Sequence, residues 1–544
     1  MSPRRDERSL KVHLRRVTVT AGLAMSLAVA TVPAVAASHS ASARGPLVNA
    51  VVAVRPGVAL PVPVAGGRVL HVFPHIGSEL VRAPLGSLLG LANDPRVAGV
   101  TPDRSGTVAG YTGKSDSKNN DNKSNKDDSA GKGVFAWQGL GGGAGSNNTG
   151  AGVNVAMLDT GLSDTPALNR ASGRVTDGVD VSQVGSGGQA QTSGTFTDGY
   201  GHGTFLASLI AGGKVPGSGG HALGVAPAAR IVVVKVANDR GETTLSEVLA
   251  GMDWVAAHAK GPNGQQMIQV LNVALAVDRP TAPAYGADPL TSAVEHVRAA
   301  GVLVVAAAGN VPGEVGDPGM DPQALTVGAA DVTGDQPSVA PFSGSGVVAG
   351  VQKPDVVASG VHVLGMLSPD SSIARDNPQA WQSNGLFRGS GTSEATAVAS
   401  GVAAAFESDH PGASTAQVKS VLRDAAGGLS GSAAGAGLMQ LVNGAAKKAS
   451  SNTGESTFNS SSWQANAWQP GFNWVSLLAS SWSASSWSAS SWSASSWSAS
   501  SWSASSWSAS SWSASSWSAS SWSASSWSAS SWSASSWSDY EWGN

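Results

Sequence analysis

Val153-Asn-Val-Ala-Met-Leu-Asp-Thr-Gly161 decides how this chain is read: an apolar run of strand length ends on a single acidic residue and a glycine turn. A short run of this kind, without polar alternation, suits a strand covered on both faces. Further strand-like runs follow at Ile231–Val236, Ile268–Ala274, Val302–Ala308 and Leu325–Ala329, with helical patterns at Ser246–His258 and Thr291–Ala300 between them. Apolar strands alternating with amphipathic helices indicate a parallel sheet with helices on both sides. Ligands of such sheets bind beyond the carboxyl ends of the strands. Asp159 ends the first strand and Asn310 lies just past the fourth, where reactive groups would collect.

The 544 residues exceed one ordinary domain, and the composition divides them unequally. A net charge of −3 with 13% charged residues gives no basic field, so nucleic acid is not an expected partner. There is no cysteine, which excludes thiol catalysis, disulfides and cysteine-ligated metal. Arg4, Arg5, Lys11, Arg15 and Arg16 precede an uncharged apolar stretch, Val17–Val35, that closes on Ala34-Val35-Ala36. Residues 1–37 therefore read as a signal peptide, and the protein is expected to be secreted and extracellular, with the tail as a potential surface tether. Gly113–Lys132 holds no apolar side chain larger than alanine and is expected to be a disordered linker. The glycine run Gly139–Gly145 precedes a strand rather than linking a strand to a helix, so it reads as linker and not as a phosphate loop.

Three stretches spread along the middle carry nucleophile chemistry: Asp159 in VAMLDTG, His202 in GHGTFLA and Ser393 in GSGTSEATA. A serine hydroxyl needs a base within hydrogen-bond reach and a carboxylate that holds the base in the right tautomer. Ser393 opens a helix of small residues, so its backbone N–H is unpaired by the helix and can face a developing oxyanion. The order Asp, His, Ser is that of the subtilisin-type triad.

Together with Gly309-Asn310 and Gly224-Val225-Ala226-Pro227, these motifs make residues 134–446 resemble the catalytic domain of subtilisin-like (subtilase) serine proteases. The resemblance implies an α/β, three-layer fold with a mainly parallel central sheet. It implies endopeptide hydrolysis with Asp159, His202 and Ser393 as the triad and the Asn310 amide as oxyanion donor. It also places Ala274, Leu275 and Ala276, with Gly309, at the substrate. Residues 46–104 resemble the small α+β propeptide domain of secreted relatives, which makes the chain's own propeptide an expected partner. No organic cofactor is required, a structural calcium is left open because no loop shows a clear pattern for it, and a monomer is expected.

Two departures from the family pattern stand out. Glu394 follows the nucleophile and is expected, as a first-turn carboxylate, to point away from the site. Ala276 stands where relatives have glycine and is expected to narrow the pocket for the residue before the scissile bond. His221, His258, His296, His362 and His410 lack metal-ligand spacing and read as packing or surface residues. Residues 447–544 form a low-complexity tail in which Trp recurs every fifth position from Trp482 to Trp537. That spacing fits neither a helix face nor one side of a strand, so the tail is expected to be disordered, serving as a stalk or as a sticky segment for envelope or polysaccharide. The alternative to a protease is a non-catalytic binding protein that keeps the fold and displays this tail.

Overall fold

A computed structural model describes residues 45–108, 133–141, 149–277, 288–348 and 350–442, and the backbone of strands between 481 and 539. The expected signal peptide (1–37), the linker 113–132 and most of the glycine run lie outside the described residues.

The first lobe is an antiparallel sheet with one short helix. Its elements are β1 (Leu47–Val54), β2 (Arg68–Phe73), β3 (Ser78–Pro84), α1 (Leu85–Leu91) and β4 (Val97–Pro102), with strand order β2-β3-β1-β4. Val52, Val54, Val81, Leu88, Leu91 and Val100 form its own small core. Val51, Phe73, Ile76 and Leu80 belong instead to the core of the larger lobe. Leaving β4, the chain crosses to that lobe as β5 (Ser105–Thr107).

The larger lobe contains β6 (Val134–Phe135), β7 (Asn154–Asp159), β8 (Val175–Asp180), α2 (His202–Ala211), β9 (Arg230–Lys235), β10 (Glu242–Thr244) and α3 (Leu245–His258). Then follow β11 (Val270–Val273), β12 (Ala276–Val277), α4 (Pro289–Ala299), β13 (Leu303–Ala307), β14 (Leu325–Asp331), β15 (Ser338–Val339), β16 (Val356–Ser359) and α5 (Thr392–Asp409). The central sheet runs β15-β14-β13-β11-β7-β9-β8, with β16 also on β14, and every pairing is parallel except β14 with β15.

Side-chain alternation along the strands explains the three layers. Val155 and Met157 of β7, like Ile231 and Val233 of β9, join the core under α2 and α5; Ala156, Leu158, Val232 and Val234 join the one under α3 and α4. A strand whose two faces both need apolar cover has the continuous apolar sequence from which it was recognised. The five strands and two helices expected from the sequence are all present, with ends differing by one or two residues. Helix α3 starts where Thr244 Oγ1 accepts the Glu247 N–H and Glu247 answers to the Thr244 N–H, a capping box.

In the tail, backbone strands run over Ser481–Ala484, Trp492–Ala504, Trp512–Ala524 and Trp532–Asp539 in one parallel sheet, and over Trp487–Ala489, Trp507–Ala509 and Trp527–Ala529 in another. Trp492 pairs with Trp512 and Trp512 with Trp532, so the register brings identical residues opposite one another at a spacing of four repeats. Twenty residues are a whole number of five-residue repeats, which is why this register aligns like with like.

Candidate active site

The carboxyl end of β7 delivers Asp159, and the first residue of α2 is His202. The two side chains are almost wholly buried, and His202 Nδ1 lies 2.8 Å from Asp159 Oδ1 and 3.0 Å from Oδ2. Burial disfavours a charged ring, but the Asp159 charge and hydrogen bond outweigh it, and the His202 pKa is raised above its ordinary 6.5.

Three further side chains, Asp198, Thr160 and Lys235, hold this pair, and the sequence alone assigned them no role. The carboxylate of Asp198 is buried at the start of α2, where it accepts from Gly201 N (2.6 Å), Thr204 N (2.8 Å), Thr204 Oγ1 (2.7 Å) and Thr160 Oγ1 (2.8 Å). Thr160 in turn gives its N–H to Asp159 Oδ1 (2.8 Å) and accepts the Gly203 N–H (3.0 Å). Lys235 Nζ donates to the Thr160 carbonyl at 2.5 Å. An acid just ahead of a glycine turn into a helix is a helix-start signal, and Asp198 in TDGYGHG was legible on that ground.

Ser393 is the second residue of α5. Its hydroxyl donates to the Ala274 carbonyl at 3.2 Å, and His202 Nε2 has no hydrogen-bond partner among the described residues. Asn310 Oδ1 accepts the Thr392 N–H and the Thr392 hydroxyl, both at 2.9 Å, which fixes its amide beside the start of the same helix. Gly309 has φ +94°, a backbone shape that favours glycine where the chain leaves β13.

Glu394 departs from expectation. It does not point away: it is buried, and its Oε2 has no partner among the described residues. The reason is local space. A Cβ on Gly389 would lie 2.5 Å from Glu394 Oε1 and 2.7 Å from the Phe205 ring, so the carboxyl and the ring together fill the room that this glycine leaves. Burial raises the Glu394 pKa, and the His202 charge pulls it back in part.

Beyond Ser393 the cleft is occupied by the chain itself. Segment β5 lies antiparallel between two strands, with Thr107 opposite Ala276 of β12 and Glu242 of β10, and Gly106 opposite Val277 and Thr243. Val108 continues it with an N–H to the Gly241 carbonyl at 3.0 Å and is fully buried in the core that also holds Leu245, Leu275 and Val277. Ala276 thus borders an extended polypeptide, Leu275 shares its core with Val108, Ala274 meets Ser393 instead, and a Cβ added to Gly316 would meet the Ala276 methyl at 3.3 Å. His258 stacks on Trp254 (4.1 Å between ring centres) and His410 on Phe406 (4.2 Å), which are packing roles. No group of three or more His, Asp or Glu side chains converges as metal ligands among the described residues.

The sequence pattern of the subtilase family, Peptidase_S8, matches residues 150–461. The chain belongs to the subtilase family. Among subtilases, serine protease AprX of Bacillus subtilis (strain 168) is 33% identical over 288 residues, which is 52% of this chain and 62% of AprX. Subtilisin Savinase of Lederbergia lenta is 34% identical over 283 residues, 52% of this chain and 86% of Savinase. The chain therefore spans less than two thirds of AprX and most of Savinase. Fervidolysin from Fervidobacterium pennivorans, a keratinolytic enzyme related to subtilisin, shares the fold at a TM-score of 0.53 and 21% identity, with 73% of this chain and 60% of fervidolysin covered.

Proposed function

We propose that this subtilase is a secreted serine endopeptidase made as a precursor. The observation that carries the reading is the meeting of nucleophile and peptide track: Ser393 Oγ sits 3.2 Å from the Ala274 carbonyl, and two residues along, Ala276 pairs with an extended polypeptide. In this reading, rotation of Ser393 about Cα–Cβ turns its Oγ from Ala274 toward His202 Nε2. His202 then takes the hydroxyl proton as Oγ attacks the scissile carbonyl, and Asp159 holds and stabilises the imidazolium. The Asn310 amide and the Ser393 N–H receive the oxyanion. His202 returns the proton to the leaving amine, and water repeats the sequence on the acyl-enzyme.

In this reading residues 46–104 and the following β5 form the propeptide, which lies in the cleft as a substrate would and blocks it. Processing falls between Val108 and Gly133, in the stretch that includes the polar linker. Purified wild type that digests casein, with a mature N-terminus in that interval by mass spectrometry, supports the reading; a Ser393→Ala variant that processes and digests equally well overturns it.

One observation favours the non-catalytic alternative: the Ser393 hydroxyl is turned to Ala274 rather than to His202, with Glu394 buried alongside. The casein assay separates the two. The Trp repeats are proposed as multivalent contacts to envelope or polysaccharide, and a truncation ending at Asn459 that attaches as well as the full chain overturns that role.

A further inference from the structure

Between β4 and β5 the chain has only two residues, Asp103 and Arg104, and the larger lobe buries the functional ends of both. Asp103 accepts the Ser246 N–H and the Ser246 hydroxyl, both at 2.8 Å, at the start of α3. The Arg104 carbonyl accepts the Leu245 N–H at 2.7 Å. Its guanidinium reaches deeper: Nη2 lies 2.5 Å from Asp288 Oδ1 and 3.5 Å from Asp317 Oδ2, and the three side chains are 7%, 2% and 0% exposed.

The cleft itself positions both carboxylates. Asp288 is the N-cap of α4, where its Oδ2 takes the Leu290 N–H at 2.8 Å and its Oδ1 turns to the arginine. Asp317 is tied to the peptide-pairing strand, since its carbonyl accepts the Val277 N–H at 3.0 Å. The pocket thus shares a wall with the track along which β5 runs. When the propeptide is cut and leaves, Asp288 and Asp317 lose the Arg104 guanidinium, and the place it held beside the track is open to another cation. A planar guanidinium can serve two acceptors at once, which a lysine ammonium on a flexible stem does less well.

We propose that Asp288 and Asp317 form a guanidinium-binding subsite of the substrate cleft. Arg104 fills it in the unprocessed chain. In the processed enzyme it takes an arginine of a polypeptide substrate, four residues before the side chain that replaces Val108. This rests on the reading of the cleft as a protease cleft holding residues 105–108 in the manner of a substrate.

The test uses the full chain, processed and purified, and four peptides with the sequence of residues 101–116 carrying Arg, Lys, Ala or Glu at position 104, each assayed as a competitor of casein hydrolysis. The Arg peptide is expected to compete about 10- to 100-fold more strongly than the Ala peptide, with Lys between them and Glu weakest. The preference is expected to flatten in an Asp317→Asn enzyme; if that variant does not accumulate, the four peptides on the wild type decide alone. Equal competition by the Arg and Ala peptides on an enzyme that digests casein overturns the subsite and leaves the protease reading standing. A preference that survives Asp317→Asn overturns the assignment of these carboxylates. A wild type that digests no casein overturns the protease reading itself.

Discussion

Asp159 grips His202 through both carboxylate oxygens, at 2.8 and 3.0 Å from Nδ1, which leaves Nε2 as the only ring nitrogen able to act as base. Asp159→Asn keeps the shape but favours the wrong tautomer. It is expected to lower kcat by roughly 10⁴, the order known for triad carboxylates in serine proteases, with KM little changed. Steady-state kinetics on a peptide substrate checks this.

The acid side of the pH profile follows from the same pair. His202 must be neutral to act, and its pKa is raised, so kcat/KM should climb with pH through a value above 6.5. An ionised Glu394 adds to that elevation. Glu394→Gln is therefore expected to move the acid limb to lower pH; a limb that stays in place or moves upward contradicts the coupling.

Oxyanion stabilisation is expected to depend on the amide that Thr392 anchors. Asn310→Ala should cost about 10² to 10³ in kcat with little effect on KM, a magnitude taken from subtilisin itself rather than from this site. Loss of binding instead of turnover would assign Asn310 to the substrate.

Ala276, on the strand that pairs with β5, is expected to crowd the pocket. Ala276→Gly should raise kcat/KM for Phe or Leu before the scissile bond relative to Ala, by about 10-fold, the worth of one methyl in an apolar pocket. A peptide panel reads this directly.

Propeptide docking is expected to weaken as the pH rises. Burial raises Asp103 from 3.8 to about 6, and burial with the nearby Asp103 charge raises Glu247 from 4.5 to about 8. Docking buries Asp103 in its neutral form, so the stability it contributes is complete below about pH 4 and is lost as the pH climbs to about 6. Inhibition of the processed enzyme by its released propeptide should therefore be tighter at pH 5 than at pH 8.

The strands and triad motifs were legible because each rests on a local pattern: apolar runs for β7, β9, β11 and β13, and glycine-flanked Asp159, His202 and Ser393. The rest depends on pairings far apart in the chain. Glu394 looked like an ordinary first-turn acid, and only the space left by Gly389 beside Phe205 draws it inward. Arg104 stands in no motif of the sequence. Its partners Asp288 and Asp317 lie 184 and 213 positions away, and no periodicity announces such a contact. Strands β2 and β3 were missed because their polar and charged residues, among them Arg68, His71, Glu79 and Arg82, break up the apolar pattern.

The most direct measurement of the central claim is covalent labelling by a fluorophosphonate, which reports a serine activated by its base. The processed wild type is expected to take up one label per chain, on Ser393, with the rate rising with pH alongside deprotonation of His202, and His202→Ala should react at no more than background. Labelling absent from the correctly folded, processed protein, or equal in wild type and His202→Ala, would contradict it.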